Sequence, residues 1–187
     1  MRPHLEYANS VWNLYKCKDT ESIENVQRRA TKMLPHLSEK SYQERLEILK
    51  LPTLKFRRLR GDMIEAYKII AGIYDNRTTK GMFILNTSNT RGHNMKVAKQ
   101  RCKLDVRKYF FTNRVADTWN SLPEHVVSAT KVKTFENRLD RYWKNHPMKY
   151  DYTVDYGTFK GNVQDITQSD DHETTEMNIE EQQLLRS

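Results

Sequence analysis

Between Leu54 and Tyr74 the residues Leu59, Met63, Tyr67, Ile70 and Tyr74 fall three or four positions apart, the spacing of one helical face. The same spacing recurs along the chain. Leu5, Ala8, Trp12 and Tyr15 make a first apolar face behind Pro3. Ile23, Val26, Ala30, Met33 and Leu34 make a second, on a helix that Asp19 can cap and Pro35 closes. Ser41-Tyr42-Gln43-Glu44 has the capping-box pattern and opens a short helix with Leu46 and Leu49. Phe111, Val115 and Trp119 give a further face, ended by Leu122-Pro123. Val132, Phe135 and Leu139, with Tyr142 or Trp143, give the last. Six glycines and five prolines are too few for a turn-rich all-β fold. The expected fold is a mostly α bundle.

One stretch breaks the rhythm. Thr90-Arg91-Gly92-His93 reads as a turn, and Met95–Val97 and Cys102-Leu104-Val106 alternate over short distances. This predicts a small β-hairpin or irregular insert. The expected organisation is a helical region over 1–75, a basic insert with C-terminal helices packed on it over 76–150, and a tail over 151–187.

Charge sharpens that division. Lys and Arg number 32 against 24 Asp and Glu, a net +8. Residues 1–150 hold 30 basic and 15 acidic side chains, whereas 151–187 hold 2 basic and 9 acidic. The tail is polar, acidic and aperiodic, so disorder is expected there. The basic body points to a polyanionic partner, RNA or DNA, bound through phosphates with low sequence specificity. Arg28, Arg29 and Lys32 should lie opposite the apolar stripe of their helix. Lys55, Arg57, Arg58 and Arg60 crowd the first turns of the longest helix, where the dipole favours anions, and an anionic partner would offset that cost. Arg91, Lys99, Arg101, Lys103, Arg107 and Lys108 line the insert. A solvated charged face is the alternative for each run. Tyr109 either stacks on a base or packs in the ordinary way.

Catalytic patterns are missing. The histidines are scattered, no HExxH or CxxC occurs, and the glycines form no phosphate loop. Asp170-Asp171-His172-Glu173 reads as solvated charge, so no metal site and no cofactor are expected. Two cysteines cannot build a disulfide framework. No run is long enough to span a membrane, and the start lacks an apolar signal core. An intracellular protein, nuclear or cytoplasmic, is expected.

Several blocks together carry a family likeness. RPHLEYANSVWNLY, ENVQRRATKML and SYQERLEILKLPTLKFRRLRGDMIEAYKI, followed in order by TRGHNMK, KLDVRKYFFTNRVADTWNSLPEHVV and TFENRLDRYW, span roughly residues 2–145. They resemble the carboxyl-terminal part of reverse transcriptases of non-LTR, LINE-type (jockey-like) retrotransposons. The resemblance implies a thumb and post-thumb region, a helical bundle that follows the palm and grips primer–template nucleic acid. The family's polymerase centre, an aromatic, any residue, then Asp-Asp, with a further upstream aspartate, holds two metal ions in the palm. Here the only Asp-Asp is Asp170-Asp171, after Gln168-Ser169 and beyond the matching blocks. The expectation is therefore a non-enzymatic fragment with no catalytic residues, any magnesium belonging to the missing palm. Met1 stands where the family chain is mid-sequence, as in a truncated element with an unrelated tail. An apolar face around Leu5, Trp12 and Tyr15, deprived of the palm, would favour self-association. A helical protein-interaction module and a functionless relic are the alternatives.

Overall fold

The computed structural model describes residues 8–11, 16–86 and 92–156, and these form a mostly helical body. In chain order come α1 (Cys17–Lys32), a 3-10 turn (Pro35–Leu37), α2 (Tyr42–Ile48), α3 (Leu54–Ile70), α4 (Asn76–Thr79), α5 (Asp105–Lys108), α6 (Phe111–Asn120), α7 (Glu124–Val127), α8 (Val132–Tyr142) and a second 3-10 turn (Pro147–Lys149). The expected acidic tail from residue 157, the turn residue Arg91, and Leu5, Trp12 and Tyr15 of the first apolar face lie outside the described residues. Ala8 is described. It starts a turn through Val11 with φ 50, so the helical register expected through this position is not formed.

α3 is the axis. Its Phe56, Met63, Ile64, Ala66 and Tyr67 are buried against Phe111, Val115 and Trp119 of α6 and Phe135 and Leu139 of α8, with Trp143 and Met148 completing the core. Tyr67 stacks on Phe135 with ring centroids 4.4 Å apart, and its hydroxyl donates to the Ala129 carbonyl at 2.7 Å. Thr53 starts α3. Its hydroxyl accepts the Phe56 N–H at 3.1 Å and donates to the Met148 carbonyl at 2.7 Å, so one side chain caps the helix and ties it to the chain's later turn. α3 ends at Ile70 instead of running to Tyr74. Gly72 takes φ +69, with Gly72 N–H bonded to Ile69 O and Ile73 N–H to Lys68 O, the paired bonds of a Schellman stop. The α2 capping box is present as expected, Ser41 and Glu44 each accepting the other's backbone N–H.

Three expectations change. Asp19 lies in the first turn of α1, three residues past the cap position, which Lys16 occupies without a side-chain cap bond. The buried face of α1 is polar, made of Glu24, Gln27 and Thr31, while Ala30, Met33 and Leu34 are exposed, because α1 packs on the polar start of α3 and on Tyr42. The insert pairs Leu85 with Val97 through one antiparallel bridge, Asn86 N–H bonding Lys96 O and Ala98 N–H bonding Ile84 O. Residues 102–106 do not take part in that pairing, and Asp105–Lys108 is a helical turn. The insert is pinned to α6 by reciprocal bonds between the Asn120 amide and the Val97 backbone, both at 2.9 Å, and by the Trp119 indole N–H on Met95 O at 2.8 Å.

The boundary expected at residue 150 also moves. Residues 151–156 pack on the body: Tyr156 stacks on His146 at 5.4 Å, and Lys55 reaches Val154 O and the Asp155 carboxylate, each at 3.0 Å. The acidic residues of this stretch belong to the folded unit.

Candidate nucleic-acid interface

The candidate cations separate into those already used inside the protein and those facing solvent. Arg28 belongs to the first group. Its guanidinium lies 5.2 Å from the centre of the Tyr42 ring and 5.4 Å from that of Tyr152, and it donates to the Tyr152 hydroxyl and the Asn25 side chain, each at 2.8 Å. The expectation that Arg28 stands free opposite a packed apolar stripe is thereby corrected: it is a clasp between α1, α2 and residue 152. Arg29 and Lys32 on the same helix are exposed.

The crowded start of α3 is relieved from within. The wholly buried Glu24 carboxylate accepts the Lys55 backbone N–H at 2.8 Å, putting an anion where the helix dipole wants one. Arg60 holds Asp140 with two bonds, at 2.5 and 2.8 Å, and Glu136 lies 3.9 Å away. The hydrogen bond to Asp140 raises the Arg60 pKa further, so it stays charged and engaged. Arg58 is buried, 8% exposed, and Arg57 is half-buried. With Asn9 and Pro52 these three arginines line a cavity of about 450 Å³. Part of the cost that an anionic partner would offset at this helix start is met by internal carboxylates, Glu24 on the Lys55 backbone and Asp140 on Arg60.

Next to this cavity sits a buried ion pair. Arg114 of α6 donates to both Asp62 oxygens of α3, at 2.8 and 3.1 Å, and to the Asn9 carbonyl at 2.9 Å. The Asn9 amide returns a bond to Asp62 at 2.8 Å. Burial pushes the Asp62 carboxyl up to about 6, outweighing the hydrogen bonds and charge of Arg114. This pair clips residues 9–10 onto the α3–α6 seam, and nothing in the local sequence around Asp62 announces it.

In the insert, Lys99 is bound to Asp117 of α6. Arg101, Lys103, Arg107 and Lys108 are all exposed, with Asp105 the one acidic residue among them. None of the four enters an ion pair with another described residue. The segment is held by Asn113 of α6: its Oδ1 accepts the Gln100 N–H, and its Nδ2 donates to Arg107 O, both at 3.0 Å. Leu104, Val106 and Phe110 are also solvent-facing, Phe110 at 54%. Sequence reading passed over Phe110 in favour of Tyr109, which is half-buried with the Lys108 ammonium 5.4 Å from its ring centre. The signal was the Phe110-Phe111 pair at the start of α6: Phe111, the first helical residue, enters the core, and Phe110, in the extended cap position before it, does not.

Among the described residues no three His, Cys, Asp or Glu side chains gather into a metal site, and no helix is long and apolar enough to cross a membrane. No protein-family model, curated protein or solved structure matches the chain.

Proposed function

We propose that the chain is a non-catalytic nucleic-acid-binding piece of a non-LTR retrotransposon reverse transcriptase, its thumb and post-thumb region, contacting RNA or DNA mainly through the segment Arg101–Lys108. The observation that carries this is the state of the four cations there. They are exposed and, among the described residues, uncommitted to carboxylates, whereas Arg28, Arg60 and Lys99 are already spent on internal partners. Phosphate binding by such cations releases counterions and needs no base readout. Arg29 and Lys32 add exposed charge on α1. Polymerisation is not part of the proposal, because the aspartate motif that would hold its metal ions has no counterpart within the matching blocks.

The test is a salt titration of binding to unrelated oligonucleotides. Replacing Arg101, Lys103, Arg107 and Lys108 by Gln should cut the slope of log affinity against log salt by about 0.7 to 0.9 per lost contact, with the melting temperature unchanged. An unchanged slope in folded protein defeats the reading. A second reading has its own observation: Met33, capping the end of α1, is 83% exposed near Ala30 and Leu34, an apolar strip of the kind that binds protein. It gains if the slope does not move.

A further inference from the structure

Beside the basic segment lies a cleft of about 480 Å³, walled by Met82, Val106 and Phe110, with Gln100 and Arg107 at its polar edge. That volume falls in the range of small-molecule sites. Its shape is set in advance, because the buried Asn113 side chain ties both Gln100 and Arg107 backbones and also donates to Cys102 Sγ at 2.9 Å. Phe110 supplies an open aromatic face; its neighbour Phe111 is fixed edge-on to Phe83 at 5.9 Å in the core. Val106, 83% exposed, forms part of the same wall. Arg107 lines this cleft, with exposed Arg101, Lys103 and Lys108 on the same segment of chain. The cavity on the other side of Phe110 and Met82, about 730 Å³, carries Glu65 and Asp75 instead. A phosphate chain is thus favoured on one side of Phe110 and repelled on the other.

We infer that this cleft is a nucleobase pocket for single-stranded nucleic acid, in which an unpaired base stacks on Phe110 while Arg107 and its neighbours hold the adjoining phosphates. This rests on the proposed function and deepens it by naming the strand state. A duplex keeps its bases stacked inside and presents only phosphates to the same cations, so Phe110 discriminates between the two forms. Base stacking on an aromatic is sequence-tolerant, which agrees with the lack of a readout motif.

The experiment compares a short oligothymidylate carrying one 2-aminopurine with a duplex of equal length, using the full chain. Phe110→Leu should weaken single-strand binding about tenfold, abolish quenching of the 2-aminopurine and leave duplex affinity and both salt slopes unchanged. Phe110→Tyr should restore all of these. Val106→Glu, at a solvent-facing position that does not bear on folding, should likewise weaken the single strand more than the duplex. Binding that ignores both Phe110→Leu and Val106→Glu, or that falls equally for single strand and duplex, overturns the pocket and leaves phosphate binding standing. Wild-type protein that binds neither probe overturns the proposed function itself.

Discussion

The carboxylate of Glu24 in α1 accepts the backbone N–H of Lys55 in α3 at 2.8 Å while completely buried. Its second oxygen accepts the Tyr42 hydroxyl at 2.7 Å. Three elements meet on one anion, and the anion sits at the cation-crowded start of α3. Burial first, and the Glu24 charge second, push the Tyr42 phenol well above its ordinary pKa, so it remains a donor at any working pH.

Removing this acceptor should be costly. Glu24→Ala leaves two partly buried donors unpaired at about 1–3 kcal/mol each. Thermal unfolding should therefore show a fall of roughly 4–24 °C, at about 2–4 °C per kcal/mol for a chain of this size. Glu24→Gln retains an acceptor and should lose less than half as much. Equal losses for the two variants would mean that the charge, and not the acceptor, is what α3 requires.

Arg28 gives a contrast with its helix neighbours. It is held between two tyrosine rings and bonded to one of them, so Arg28→Gln should cost about 1–2 kcal/mol. The same variant should expose residues 151–156 to proteolysis, because Tyr152 loses its clasp. Arg29→Gln and Lys32→Gln, both at exposed positions, should leave the melting temperature within a degree or two. A stable Arg28→Gln protein with a reduced salt slope would return Arg28 to the nucleic-acid side.

These residues also mark where sequence reading works. The stripes at Met63 and Tyr67, Phe111–Val115–Trp119, and Phe135–Leu139 were legible because each element buries apolar side chains on a neighbouring helix, and burial imposes the helical period. Between Tyr142 and Trp143 the period does not choose, and Trp143 is the buried one. α1 inverted the rule. Its inward face is polar because it serves a helix start and a tyrosine hydroxyl, and such a face has the same period as a solvated one. Charge content was legible, but charge use was not: Arg60 meets Asp140, and Arg114 meets Asp62, across distances in sequence that no local pattern spans. The strand pairing failed for the same reason. Leu85 is the partner of Val97, whose backbone Asn120 of α6 holds in turn, and the alternating residues at 102–106 lie outside that pairing.

Two buried groups should give stability opposite slopes with pH. His146 has its pKa lowered by burial, and its Nδ1 accepts the Met148 N–H at 3.1 Å, which requires the neutral ring. The unfolded chain therefore binds the proton more readily, and the contribution of His146, intact above about 6.5, is lost as pH falls. Asp62 runs the other way. Its folded pKa of about 6 exceeds its ordinary 3.8, so its contribution is present in acid and is lost as pH rises through about 6. Urea unfolding of wild type, His146→Gln and Asp62→Asn between pH 4 and 8 checks both. The first variant should flatten the loss toward acid, and the second should flatten the loss toward neutrality, whatever their absolute stabilities.

Where the acidic C-terminal stretch is cut should decide what is measured. Residues 151–156 brace the body through Tyr152 on Arg28, Asp155 on Lys55 and Tyr156 on His146 and Trp143. Residues 157–187 carry seven acidic and two basic side chains beside a strongly basic body. Truncation after Tyr150 removes the brace and the charge together, so the melting temperature should drop and any gain in binding is obscured. Truncation after Tyr156 keeps the brace and removes the net negative charge of residues 157–187. It should leave the melting temperature within a few degrees and tighten oligonucleotide binding at low salt, since like-charged phosphates no longer compete with tethered carboxylates for the same cations. The gain should shrink as ionic strength rises and the Debye length falls below about 10 Å. Unchanged low-salt affinity in the protein ending at Tyr156 would show that the acidic stretch does not compete for the basic segment.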